Sequence, residues 1–136
     1  MRKLRSWKLL LPLAALAVVA TVWVSGAFAA SQTHTIRVAI MTDCKGAFAF
    51  GYEIDIGGAQ AAFAQYAGGK VKNKNKPSAG MTGITVRGHK VEIVGYGCGD
   101  ETPEKAIEET RRLMEQEDAD ILIGPLSGDE GIAVAN

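Results

Sequence analysis

Three short apolar runs, Ile36 to Met41, Val91 to Tyr96 and Ala119 to Gly124, alternate along this chain with stretches of helical periodicity. Runs this short and this continuously apolar read as strands buried on both faces. A β-α-β-α-β-α order leaves few topologies open. Parallel strands need long crossovers, and right-handed crossovers put helices on both faces of the sheet. The expected fold class is α/β, a parallel sheet with helices on both faces.

The first helix is expected from Tyr52 to Tyr66, where Ile56, Ala59, Ala62, Phe63 and Tyr66 recur at helical spacing and Gly68-Gly69 follows as a stop. The second has the stronger signals. Thr102 suits the N-cap, Pro103 the first helical position and Glu104 the positive helix end. Ala106, Ile107, Thr110, Leu113 and Met114 make its apolar stripe, with Glu108, Glu109, Arg111 and Arg112 outside it. Glu117-Asp118 breaks the pattern. A third helix is expected from Asp129 onward, after the turn Pro125-Leu126-Ser127-Gly128.

The connections are polar. Thr42 to Gly51 reads as a loop. Lys70 to Gly83 carries four lysines, Pro77 and several glycines, and reads as a solvated connection without regular structure. Ile84 to Val86 and the run from Lys90 read as a hairpin around Arg87-Gly88-His89 that feeds the second core strand. Three strands with two and a half helices leave a parallel sheet incompletely covered. The expectation is therefore that the chain is the opening part of one lobe of a larger fold.

The amino terminus has a different character. Arg2, Lys3, Arg5 and Lys8 precede an apolar run from Leu9 to Val24, and Ala27-Phe28-Ala29 follows. A basic region, an apolar region and a small-x-small site in that order make a secretory signal peptide over 1–29, with cleavage expected after Ala29. An uncleaved anchor is the alternative, since the run falls a little short of a membrane span. Residues 30–136 then form the mature part, placed in the periplasm or at the cell exterior. That part carries fifteen acidic side chains against eleven basic ones, a formal charge of −4. A mildly acidic surface argues against nucleic acid as a partner.

Three segments resemble a known family. IRVAIMTDCKGAFAFGYEIDIGGAQAAF, with Gly46, Gly51 and Gly58-Ala59, is similar to the first strand, loop and helix of the type I periplasmic solute-binding proteins of ABC transporters. The branched-chain amino-acid and amide-binding branch is the nearest in character. VEIVGYGCGDETPEKAIEETRRLM looks like that family's second strand, polar loop and Pro-started helix, and ADILIGPLSGDEGIAVAN like its third strand and turn. The likeness covers nearly all of the mature chain, although Lys70 to Gly83 is longer than usual.

The resemblance implies two α/β lobes that close over a small polar solute, an amino acid, amide or similar, and deliver it to an ABC permease. It implies a monomer without cofactor, metal or enzymatic activity. A ligand-binding sensory ectodomain with the same fold is the alternative. Ligands of open α/β sheets sit beyond the carboxyl ends of the strands, here Thr42 to Phe50, Gly97 to Glu101 and Pro125 to Glu130. Carried over from the family, Ser127 and Gly128 hold the polar head of the ligand and Phe50 walls its pocket. A helix start suits a carboxylate. Asp129 and Glu130 depart from the family pattern. Either Asp129 caps the helix and Glu130 faces solvent, or Asp129 meets an amine, amide or hydroxyl of the ligand.

Cys44 and Cys98 are the only cysteines. An exported chain meets an oxidising compartment. In the implied topology the two residues follow neighbouring strands, so a Cys44–Cys98 disulfide is expected. Free thiols are the alternative. A metal site lacks ligand spacing, because His34 and His89 lie far from both cysteines in the sequence.

Three further patterns carry less. Gly95-x-Gly97-x-Gly99 lacks dinucleotide spacing and reads as a loop needing backbone room at the sheet rim. Cys44 has no histidine near it to act as base. Asp43, Asp100 and Glu101 read as polar rim residues at the strand ends.

Overall fold

The computed structural model describes residues 34–136. The expected signal peptide at 1–29 and its expected cleavage after Ala29 lie outside the described residues. In chain order the elements are β1 (Ile36–Asp43), α1 (Tyr52–Ala67), β2 (Lys70–Val71), β3 (Met81–Thr82), β4 (Ile84–Val86), β5 (His89–Gly99), α2 (Pro103–Arg111), β6 (Ile121–Ile123) and α3 (Gly128–Ala135). Short 3₁₀ turns occupy Ala49–Gly51 and Pro77–Ala79, and a π turn extends α2 over Arg112–Gln116.

The sheet runs β4-β5-β1-β6. β1 pairs in parallel with β5 and β6, and β4 closes the far edge of β5 antiparallel, as a hairpin. The fold is thus mixed α/β around a mostly parallel sheet, the class the alternation implies. β1 lies at its centre because the first crossover carries the chain from β1 to β5 and the second carries it back from β5 past β1 to β6. The strand order reverses between β1 and β6, and such a switch point opens a crevice at the carboxyl ends.

Alternate residues of β1 build two cores. Val38 packs with Ala67, Met81, Ile84 and Val91 on the side of α1. Ala39 and Met41 pack with Ala106, Leu113 and Ala119 on the side of α2, where Val134 of α3 joins them. Side chains such as Ile56 and Leu113, with no exposed surface, each contribute roughly 1.5–3 kcal/mol of transfer free energy.

Helix boundaries follow the sequence signals closely, but both helix faces differ from the expected stripes. The buried face of α1 is Ile56, Gln60, Phe63 and Ala67, while Ala62 and Tyr66 point outward. Gln60 can hold a core position because its amide donates to Pro77 O at 2.8 Å and to the Tyr96 hydroxyl at 2.9 Å. On α2, Thr102 caps the helix through Lys105 N, as expected. Yet Glu109 is buried and Met114 exposed, the reverse of the expected stripe.

Three other expectations need correction. Lys70 to Gly83 is not structureless: β2 and β3 pair antiparallel, and the 3₁₀ turn between them is pinned to α1. Ser78 donates through its amide and hydroxyl to Glu53, at 2.8 and 2.5 Å. The third core strand is only three residues long, and Ile121 and Ile123 are exposed because β6 is a sheet edge. The Gly95-x-Gly97-x-Gly99 segment is strand, not loop, as it completes β5.

Candidate functional site

The carboxyl ends of β1 and β6 assemble a polar cluster beside a groove. β1 ends in Thr42 and Asp43, both almost fully buried. Strand alternation sends Thr42 to the α1 side and Asp43 to the α3 side, so each meets a different carboxylate. Thr42 Oγ1 donates to Asp55 Oδ2 at 2.6 Å. Asp43 Oδ1 accepts from Glu101 N at 3.3 Å, and its carboxyl group lies against that of Glu130.

Glu130 has no exposed surface. Its Oε2 accepts from Ser127 N at 3.3 Å and Ser127 Oγ at 3.0 Å, while Ser127 Oγ accepts from Glu130 N. This is a capping box at the start of α3. Asp43 Oδ2 and Glu130 Oε1 have no other hydrogen-bond partner. Burial pushes the Asp43 carboxyl up from its ordinary value, and the neighbouring Glu130 adds to the rise against the opposing Glu101 N–H. The pair is suited to sharing one proton between them.

The groove lies at the switch point, with a volume of about 130 Å³. Thr42 and Asp55 form its polar wall, and Ile123, Gly124, Pro125 and Leu126 its other side. Gly124 is obligatory there. Its φ is 111°, and a Cβ would run into the carbonyl oxygen of Met41. A larger hollow of about 420 Å³ lies on the outer side of α2 between Glu104 and Gln116. All its walls come from that helix and the π turn, so it is a surface furrow rather than a meeting point of strand ends.

A disulfide joins Cys44 to Cys98 with Cα atoms 5.0 Å apart. Cys44 follows β1 directly. Cys98 lies inside β5, opposite Thr42, rather than past the strand end. The link holds the β1–α1 connection to β5, and Cys44 N and Lys45 N both donate to Gly99 O.

The outer edge of β5 explains the buried acid of α2. β4 covers only His89 to Val91, which leaves the upper half of β5 without a strand partner on the edge away from β1. Glu109 and Arg112 take that place. Cys98 N donates to Glu109 Oε2 at 3.3 Å, and Arg112 Nη2 donates to Tyr96 O at 2.9 Å. Arg112 and Glu109 also bond to each other at 2.9 Å. Burial favours the neutral form of Glu109, but hydrogen bonds from Arg112, Lys105 and the Cys98 N–H prevail and hold it below the usual carboxylate range.

The alternating glycines of β5 have the same packing origin. After a bulge at Val38/Ala39, Gly95, Gly97 and Gly99 stand opposite Ala39, Met41 and Asp43. A Cβ on Gly95 would lie 2.7 Å from Leu113, and one on Gly97 would lie 2.9 Å from Met41 and 3.1 Å from Leu113. At Gly99 it would enter the Asp43 carboxyl group. The glycines let α2 approach the sheet and leave room for the acid pair.

The expected site residues fall in different places. Ser127 is the N-cap of α3 and half-buried, and Gly128 and Asp129 are exposed in its first turn. The expectation that Asp129 caps the helix and Glu130 faces solvent is corrected: Ser127 is the cap, and Glu130 is buried against Asp43. Phe50 is 74% exposed on the 3₁₀ turn and does not line the groove. Asp100 and Glu101 point elsewhere, the first to Thr102 and the second to Phe48 N at 2.7 Å. Among the described residues no three histidine, cysteine or acidic side chains converge as metal ligands. No helix among them is long and apolar enough to cross a membrane.

Thr42 and Asp55 are site residues that the sequence did not single out, and Glu130 is one that it assigned to solvent. Asp55 carried one usable signal, a carboxylate in the first turn of a helix that follows a core strand. No family model matches the chain, and no curated protein matches it.

Proposed function

We propose that the chain is the ligand-binding part of an extracytoplasmic solute-binding protein, which captures a small polar solute for delivery to an ABC permease. The observation that carries this reading is the groove between the ends of β1 and β6, at the reversal of strand order. Its composition agrees, because small-molecule sites combine apolar walls with a few directed polar groups. Phe48, Phe50 and Leu126 leave apolar surface exposed on nearby connections. The disulfide fits an oxidising compartment, in line with the basic and apolar amino terminus. The chemistry is recognition and release, without covalent steps.

The test is thermal unfolding of the full chain against a panel of α-amino acids, their amides and short carboxylates. A true ligand at a hundred times its Kd adds about 2.7 kcal/mol of stability, which is several degrees in Tm. A melting temperature that no member of the panel moves overturns the reading. In parallel, Leu126→Ala should weaken the response without altering the fold, since Leu126 lines the groove and is half-exposed.

A further inference from the structure

We infer that Asp55 is the recognition point for a primary ammonium group, so that the groove selects small amines and the amine end of amino-acid-like solutes. This rests on the solute-binding reading above and narrows its ligand class.

Three observations converge on Asp55. It stands at the groove wall together with apolar atoms of Ile40, Ile123, Pro125 and Leu126. Its Oδ2 is fixed by the Thr42 hydroxyl at 2.6 Å, and Thr42 is itself 2% exposed, so the carboxylate is held in one orientation by a buried donor. No lysine, arginine or histidine pairs with Asp55 among the described residues, although six ion pairs occur among the other charged groups. A carboxylate oriented against apolar walls gains most from a cation that brings its own hydrogens.

The surroundings decide what kind of cation. A volume of about 130 Å³ admits a handful of heavy atoms. Ile123, Pro125 and Leu126 offer no hydrogen-bond partners from their side chains, so the ammonium should sit on a short aliphatic arm. A metal ion is disfavoured by the donor set, one carboxylate and one hydroxyl. A guanidinium would need a second acceptor facing Asp55 to use its fork of donors.

The experiment is an NMR titration of the ¹⁵N-labelled full chain with n-propylammonium chloride, using n-propanol and sodium propionate as controls of matching shape. Saturable shifts of the Thr42, Asp55 and Gly124 amides with the amine alone are expected. Asp55→Asn should weaken that response at least tenfold while keeping a side-chain acceptor for Thr42. Should the variant fail to fold, the wild-type titration at 50 and 500 mM sodium chloride replaces it, and the shifts should weaken with salt. Equal response to amine and alcohol, or an unchanged Asp55→Asn, overturns the inference. If amino acids stabilise the chain but propylammonium leaves these amides unmoved, the ammonium assignment alone fails. If neither binds, the solute-binding reading fails with it.

Discussion

Asp43 and Glu130 bring two buried carboxyl groups together where the end of the central strand meets the start of the last helix. Each keeps one oxygen without another partner, so the contact is favourable only while a proton lies between them. The folded state therefore binds that proton more tightly than the unfolded chain does. Its contribution is present at acid pH and is lost as pH rises through the raised Asp43 value.

Glu130→Gln should reverse that dependence. A glutamine keeps the capping box with Ser127 and donates to Asp43 without a shared proton. Urea unfolding at pH 7 should show a gain of roughly 1.5–3 kcal/mol, since hydrogen bonds to charged groups are worth about that much. The gain should shrink at pH 4. A variant less stable than wild type at both pH values would mean that the pair is not short of a proton.

Glu109 titrates in the opposite sense. Its carboxyl group lies below the usual range, so its stabilisation is present at neutral pH and lost as pH falls through the folded value. Glu109→Ala would leave the Cys98 N–H without its acceptor and the Arg112 guanidinium with only Tyr96 O and Glu117, at a cost of about 2 kcal/mol. Glu108→Ala, on the exposed side of the same helix, should change stability by less than about 0.5 kcal/mol. Denaturation of the two variants at pH 7 separates a strand-edge role for Glu109 from general helix charge.

Gly97 tests how close α2 lies to the sheet. Alanine there would press on Met41 and Leu113, and overpacking of this kind costs about 1–3 kcal/mol. Leu113→Ala in the Gly97→Ala background should then cost less than Leu113→Ala alone, because the added methyl group fills part of the vacated space. Strict additivity of the two changes in chemical denaturation would remove Leu113 as the contact.

How much of this was legible in the sequence differs by level. Element order and helix ends were readable, because Thr102-Pro103 and Gly68-Gly69 act locally and β-branched runs define strands within a few residues. Side-chain partnership was not. Glu109 looks like a surface residue on a helical wheel, and only the shortness of β4 makes it a partner for the edge of β5. Gln60 is polar at a position reached by Pro77 and Tyr96 from far along the chain. The period-two glycines of β5 did carry the strand periodicity, yet their meaning depends on Leu113 and Asp43 lying opposite. The Thr42–Asp55 and Asp43–Glu130 contacts follow from alternation at the end of β1 together with strand order, a combination that local pattern does not contain.

The Cys44–Cys98 bond closes a span of 54 residues, and the chain-entropy model gives such a link about 4 kcal/mol. Its effect should also be regional, because it ties the connection carrying Phe48 and Phe50 to β5. Replacing both cysteines by serine should lower stability in urea by a few kcal/mol. Amide exchange should accelerate most between Lys45 and Gly51, where few backbone bonds hold the chain apart from those to Gly99 and Glu101. Non-reducing peptide mapping of exported material should recover the cross-linked pair. Two alkylatable thiols there would remove the disulfide, and exchange that quickens evenly over the whole chain would remove its local role.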